Sequence, residues 1–165
     1  MKTAFLFILT LFFFSACSST PKTYKKLPTS HKTHVTYKLQ KKNFVTTTLY
    51  KEYEKWAGVK YCYAGEDKNG IDCSALVQRI YKEAFNIKLP RTTKQQIKVG
   101  KRVSKKSLKE GDILFFKTSY TVLHTGIYLE KGEFIHASSR YGVMLSNIHN
   151  PYWRAKYYQA RRLLF

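Results

Sequence analysis

Acidic residues are scarce in this chain. Its 165 residues hold 10 Asp and Glu against 30 Lys and Arg, and none of the acids comes before Glu52. The formal net charge of +20 points to an acidic partner, whether nucleic acid, an anionic membrane surface or an anionic wall polymer. Cysteine is scarce too. Three of them, an odd number, are too few for a disulfide-built miniprotein. There is no apolar stretch of the roughly 20 residues that a membrane-spanning helix needs; the run from Ala4 to Phe14 has only 11. The length leaves room for one ordinary domain. A hydrophobic content of 44% allows a buried core and excludes global disorder.

The short run has a meaning of its own. Met1-Lys2-Thr3 is a basic n-region and Ala4 to Phe14 an apolar h-region, so residues 1–16 read as a signal peptide. Phe14-Ser15-Ala16-Cys17-Ser18-Ser19 resembles a bacterial lipobox, with Phe14 in place of the usual Leu. That resemblance implies diacylation of Cys17, and more than one acyl chain is what holds a protein on a membrane. Ser18 after the cysteine resembles lipoproteins sorted to the outer membrane, which implies residence at its periplasmic face. Export removes nucleic acid from the expected partners. Residues 17–48 are rich in Lys, Thr and Ser, with Pro21 and Pro28, and read as a basic, solvated tether. No internal repeat is evident.

Residues 49–165 read as one compact domain. Leu49 to Ala57 is expected to form a short helix ending near Gly58. Asp72 stands at an N-cap position before a stripe of Cys73, Leu76, Val77, Ile80, Ala84 and Phe85, which runs to Asn86 and is stopped by Pro90. A shorter helix is expected over Lys94 to Val99. Beyond Gly111 come short runs of β-branched and aromatic residues: Asp112 to Lys117, Val122 to Glu130, Glu133 to Ser138 and Gly142 to Ser146. Lys131-Gly132 is a hairpin signal, and Gln159 to Phe165 is a candidate closing strand. Helices first and strands afterwards indicate an α+β fold with an antiparallel sheet.

Cys73 falls at the start of the second helix, where free N–H groups and the helix dipole favour a negative sulfur and a lowered thiol pKa. His124 and His136 lie on consecutive strands joined by a tight turn. Strand alternation groups His124 with Gly126 and Tyr128, and His136 with Phe134. A nucleophile, a base and a group orienting the base form the general arrangement for covalent catalysis, provided that the helix start packs against the histidine-bearing faces. Taken singly, each residue is more often structural. Cys62, Cys73, His124 and His136 have none of the spacings of a standard zinc site. No metal or organic cofactor is expected.

Several motifs together resemble the NlpC-type cell-wall peptidase family. They are Gly70-Ile71-Asp72-Cys73-Ser74-Ala75-Leu76-Val77, Leu89-Pro90-Arg91-Thr92-Thr93, Leu108 to Phe116, His124-Thr125-Gly126-Ile127-Tyr128-Leu129 and Phe134-Ile135-His136-Ala137-Ser138. The tail, Pro151-Tyr152-Trp153 with Ala160-Arg161-Arg162, is similar to the Spr/MepS branch of outer-membrane murein endopeptidases. The resemblance implies a papain-like α+β fold in which Cys73 is the nucleophile, His124 its general base and then acid, and His136 the group orienting His124. It makes Tyr61 an oxyanion support beside the backbone N–H of Cys73, and Asp72 and Ser74 shapers of the site with substrate contact; the alternative for that pair is helix capping. The implied substrate is peptidoglycan, cut at D-Ala–diaminopimelate or, as in other members, γ-D-Glu–diaminopimelate, by a monomer. Two other readings are a wall-binding lipoprotein without turnover and a thiol amidase or acyltransferase on another envelope amide. The family usually has glycines at Ala64 and Ala75, so a slightly reshaped site is expected. Cys62 is taken as a free thiol.

Overall fold

A computed structural model describes residues 44–164. The signal peptide, Cys17, His31, His34 and most of the tether read over residues 17–48 lie outside the described residues. Helix α1, Phe44–Trp56, begins before the expected Leu49 start. Val45, Leu49, Glu52 and Trp56 are its buried stripe at helical spacing. The three threonines between Val45 and Leu49 are poor helix formers, yet burial of Val45 in the core overrides them. The folded domain therefore takes in Phe44–Thr48, whose composition is that of the tether.

A small hairpin follows, strands β1, Glu66–Asp67, and β2, Gly70–Ile71, with Tyr61 bridged to Ile71. Helix α2, Cys73–Phe85, has the predicted caps: the Asp72 side chain accepts from the Ala75 N–H, and Asn86 closes the helix in the left-handed conformation at φ 55°. The short helix α3 runs Thr93–Gln96. The remaining elements are strands β3, Lys101–Val103, β4, Ile113–Lys117, β5, Leu123–Tyr128, β6, Glu133–Ser138, and β7, Gly142–Asn147, then helix α4, Pro151–Lys156, and strand β8, Tyr157–Arg162. The sheet order is β3-β8-β4-β5-β6-β7, and every neighbouring pair is antiparallel. The expected closing strand is thus an interior one, starting at Tyr157. Helix α4 was not expected, although Asn150-Pro151 is a capping signal: the Asn150 side chain accepts from the Tyr152 N–H at 3.0 Å.

Alternation along the strands divides the core in two. On one face Ile113, Phe115, Ile127 and Ile135 join Leu76, Val77 and Ile80 of α2. On the other, Leu114, Phe116 and Phe134 gather with Ile148 and Ala160 under Trp153 of α4. Arg162 clamps the β8–β4 seam from the rim, donating to both carboxylate oxygens of the buried Asp112 at 2.8 and 2.7 Å.

Ala64, where the family resemblance leads one to expect glycine, sits at φ 59° in the loop before β1. A Cβ in that region costs about 1 kcal/mol. The Ala64→Gly variant should raise the urea midpoint by an amount equivalent to about 0.5–1 kcal/mol. An unchanged or lowered midpoint would show that the loop carries no such strain.

Candidate active site

Asp72 organises the start of α2. Besides capping Ala75, it accepts from the Ser74 hydroxyl at 2.9 Å and from both terminal nitrogens of Arg91, at 3.0 Å on Oδ1 and 2.7 Å on Oδ2. Burial raises this carboxyl, but Arg91, the Ala75 N–H and the Ser74 hydroxyl outweigh it and hold Asp72 below the ordinary range. Arg91 also donates to Gly65 O, to Ser74 Oγ and to Glu66 Oε1. Both oxygens of Asp72 and the hydroxyl of Ser74 are therefore engaged within the protein. Arg91, visible in the sequence only as part of a motif, is the residue that joins the β1–β2 hairpin to α2.

Cys73 is 9% exposed at the first helical position. Its Sγ lies 3.9 Å from Thr93 Oγ1 and interacts with the Thr125 backbone, one residue beyond His124. Gln96 keeps Thr93 in place by donating to Ser74 O and Pro90 O, each at 2.9 Å. The lowered pKa expected from the helix start is not found. Burial pushes the Cys73 thiol up, with Asp72 adding to the rise, and the contacts to Thr125, Thr93 and Ser74 only partly oppose it. Burial likewise raises the Tyr61 phenol, followed by the neighbouring Cys73 and Asp72, which puts Tyr61 within electrostatic reach of the thiol.

The two histidines meet between β5 and β6. His124 pairs with Phe116 across β4–β5, and its Nε2 lies 3.0 Å from His136 Nδ1. His136 Nε2 lies in turn 2.9 Å from Ser146 Oγ on β7. Gly126 makes room for this. A Cβ there would stand 2.5 Å from Ile135 O and 3.2 Å from the Cβ of His136. The Trp153 ring stacks on His124 at 5.4 Å and meets His136 edge-on at 4.9 Å. Burial lowers His124 to about 4. Burial, and then the charge of His124, lowers His136 to about 3. At neutral pH the pair is uncharged.

The helix start meets β5 at the residue after His124, while the rest of α2 lies against the face that the imidazoles do not use. The apolar stripe of α2 covers the opposite face, because Ile113, Phe115 and Ile127 point there, and the thiol meets the sheet at the Thr125 backbone. Cys73 Sγ and His124 are not hydrogen-bonded, and among the described residues His124 Nδ1 has no hydrogen-bond partner. Catalytic hydrogen bonds often tighten only when substrate binds. Cys62 is an exposed free thiol. Among the described residues, no group of three or more His, Cys, Asp or Glu is placed to hold a metal ion. Ser146, Thr93 and Trp153 are site neighbours that the sequence reading missed. Thr93 and Trp153 stand in the motif stretches without a role of their own, and strand parity puts Ser146 on the face of Phe134 and His136.

The NlpC/P60 family matches residues 58–162. This chain belongs to the NlpC/P60 family. It is similar to the murein DD-endopeptidase/LD-carboxypeptidase MepS of Escherichia coli K12, at 42% identity over 120 residues, and the match covers 73% of this chain and 64% of MepS. It is 41% identical to the probable endopeptidase NlpC of the same organism, across 72% of this chain and 79% of that protein. An NlpC/P60 protein from Bacillus cereus superposes with a TM-score of 0.66 at 29% identity, covering 73% of this chain and 40% of that one. NlpC/P60 is a family of cysteine peptidases.

The lowered histidines couple folding to pH. Unfolded imidazoles take protons near 6.5, so stability is full above that pH. It is lost as pH falls from about 6.5 through the folded values of about 4 and about 3, by at most about 1.4 kcal/mol per pH unit for each histidine. Removing the cover in Trp153→Ala should move both imidazole titrations up towards 6.5 and flatten the pH dependence of the urea midpoint. Imidazole titrations by NMR that stay put would show that Trp153 is not what keeps the pair dry.

Proposed function

We propose that this chain is a murein endopeptidase that hydrolyses peptide bonds in the cross-links or stems of peptidoglycan, with Cys73 as nucleophile. The observation carrying this reading is a buried thiol at a capped helix start, next in space to a strand that holds one half of a neutral imidazole pair. The relatives named as murein endopeptidases support the substrate class. Their D,D-specificity favours the bond between D-Ala and diaminopimelate over the one between γ-D-Glu and diaminopimelate.

His124 acts as the base through Nδ1, its free nitrogen. For Nδ1 to hold a lone pair, Nε2 carries the proton and donates it to His136 Nδ1. His136 then donates from its own Nε2 to Ser146 Oγ. This one direction of the chain fixes both tautomers. Nδ1 takes the thiol proton as sulfur attacks the scissile carbonyl carbon. The C–N bond breaks, the leaving amine receives that proton from the imidazolium, and a thioester remains. Water, deprotonated by the same nitrogen, then releases the acid and restores the thiol. The Cys73 N–H and the Tyr61 hydroxyl face the developing oxyanion. Asp72 and Ser74 shape the site through Arg91.

Diacylation of Cys17 holds the enzyme at the periplasmic face of the outer membrane. The basic n-region, short h-region and lipobox-like stretch support this reading. Cys17→Ser should move the protein from the membrane to the soluble fraction of the envelope; retention in the membrane would refute the anchor.

The chemistry is tested by muropeptide mass profiles of sacculi treated with the purified chain and with Cys73→Ala. The intact chain should convert cross-linked dimers into monomers, and the variant should be slower by at least about a thousandfold, as for a lost nucleophile. Monomers cut after D-Glu would keep the enzyme and move the bond. Unchanged profiles with both proteins pelleting on the sacculi would favour a wall-binding role.

A further inference from the structure

Two adjoining concavities lie along β8 beside α3. One, of about 340 Å³, is lined by Lys98, Lys117, Tyr120 and Arg161 among others, and the other, of about 410 Å³, by Arg102, Lys105 and Tyr157. Tyr158 and Gln159 line both, so the two form one trough. No aspartate or glutamate contributes to either wall. Five cationic side chains thus share a cleft with three tyrosines and no internal counter-charge. The tyrosine rings hold some of these ammonium groups in place: Lys117 Nζ lies 4.1 Å from the Tyr158 ring centroid and Lys105 Nζ 4.9 Å from that of Tyr157.

Two further observations concern the trough wall and its position. Arg161 Nε and the Tyr157 hydroxyl are buried polar atoms without a hydrogen-bond partner, and their residues line the trough. Both atoms are closed to solvent, so they lie behind the trough wall and do not themselves meet a ligand. The trough also runs towards the thiol. Leu123 lines it and lies two residues before Thr125, whose backbone touches Cys73 Sγ; Ile97, which also lines it, directly follows α3, the helix that carries Thr93.

We propose that this trough is a subsite for an anionic peptide, binding the free carboxylates of a peptide strand whose scissile bond lies at Cys73. The inference rests on the endopeptidase reading for its substrate class. Guanidinium and ammonium groups set among tyrosines suit carboxylates spaced along a chain with apolar stretches between them. The lining of the trough includes none of Cys73, His124 and His136. The trough therefore binds the part of the substrate away from the reacting carbonyl and acts on affinity more than on the chemical step.

The test compares the purified full chain with Lys98→Glu/Lys117→Glu and with Arg102→Glu/Lys105→Glu, using Lys88→Glu on an exposed loop as the charge control. The first readout is binding of a synthetic stem peptide with free carboxylates, and of its fully amidated counterpart, to forms that also carry Cys73→Ala. The unreversed trough should bind the free-acid peptide at least about tenfold more tightly than the amide, since each charge-assisted hydrogen bond at a partly exposed site is worth about three- to tenfold. Each double reversal should abolish that preference and Lys88→Glu should keep it. The second readout is turnover of a soluble cross-linked muropeptide, where KM should rise at least about tenfold with kcat within about twofold. Equal binding of acid and amide, or a reversal that lowers kcat at constant KM, would overturn the subsite. So would inorganic polyphosphate binding as tightly as the free-acid peptide at matched ionic strength, because the trough would then be a general anion surface. Trough-dependent peptide binding by a chain that cleaves no muropeptide would instead refute the endopeptidase reading and leave the subsite standing.

Discussion

The site depends on one ion pair. Asp72 and Arg91 meet through two hydrogen bonds at the point where a hairpin, a helix start and the loop leading into α3 converge. Without Arg91, Asp72 would be a mostly buried carboxylate at a helix cap with its charge uncompensated, and removing one partner of such a pair commonly costs about 3–5 kcal/mol. The pair also fixes where sulfur sits. Its position follows from the first turn of α2, and that turn is set by the Asp72 cap and by the Gln96 bonds that bring α3 alongside. Asp72 and Ser74 are conspicuous in the motif because they build the frame around the nucleophile.

The electrostatics oppose the simplest picture of a thiol peptidase. A helix start stabilises thiolate, and a nearby imidazolium would do so more strongly. Here burial dominates at the thiol and at both imidazoles. The thiol is pushed up and the imidazoles are pushed down, so the resting protein holds neutral groups. Charge separation is left to the reaction itself, and a site of this kind gains most from donors already aimed at the developing charge.

Much of this was legible in the sequence wherever the determinants are local. The span of α2 could be read from a cap, a stripe and a left-handed stop, all within a few residues of one another. The hairpin at Lys131-Gly132 was legible because both residues take positive φ, 51° and 86°. The start of α1 was not, because the threonines after Val45 carry the composition of a tether and only distant packing makes them helical. Strand parity correctly put His124 with Gly126 and His136 with Phe134. It could not say which face α2 would cover, since that choice belongs to residues far apart in the chain. For the same reason the thiol pKa was misjudged. The dipole is local to the helix, but the desolvation that outweighs it comes from the whole fold.

The position of β8 has a consequence for the order of assembly. It pairs with β3 on one side and β4 on the other, although it is the last strand in sequence. Until residues 157–162 arrive, β4 has an open edge, β3 has no neighbour, and Asp112 lacks the guanidinium that satisfies it. The sheet cannot zip up behind the chain as it emerges. Its closure needs the last strand in the chain, which also forms one wall of the basic trough. A chain cut short before Arg162 would have a split sheet and an unfinished trough, even with Cys73, His124 and His136 all present.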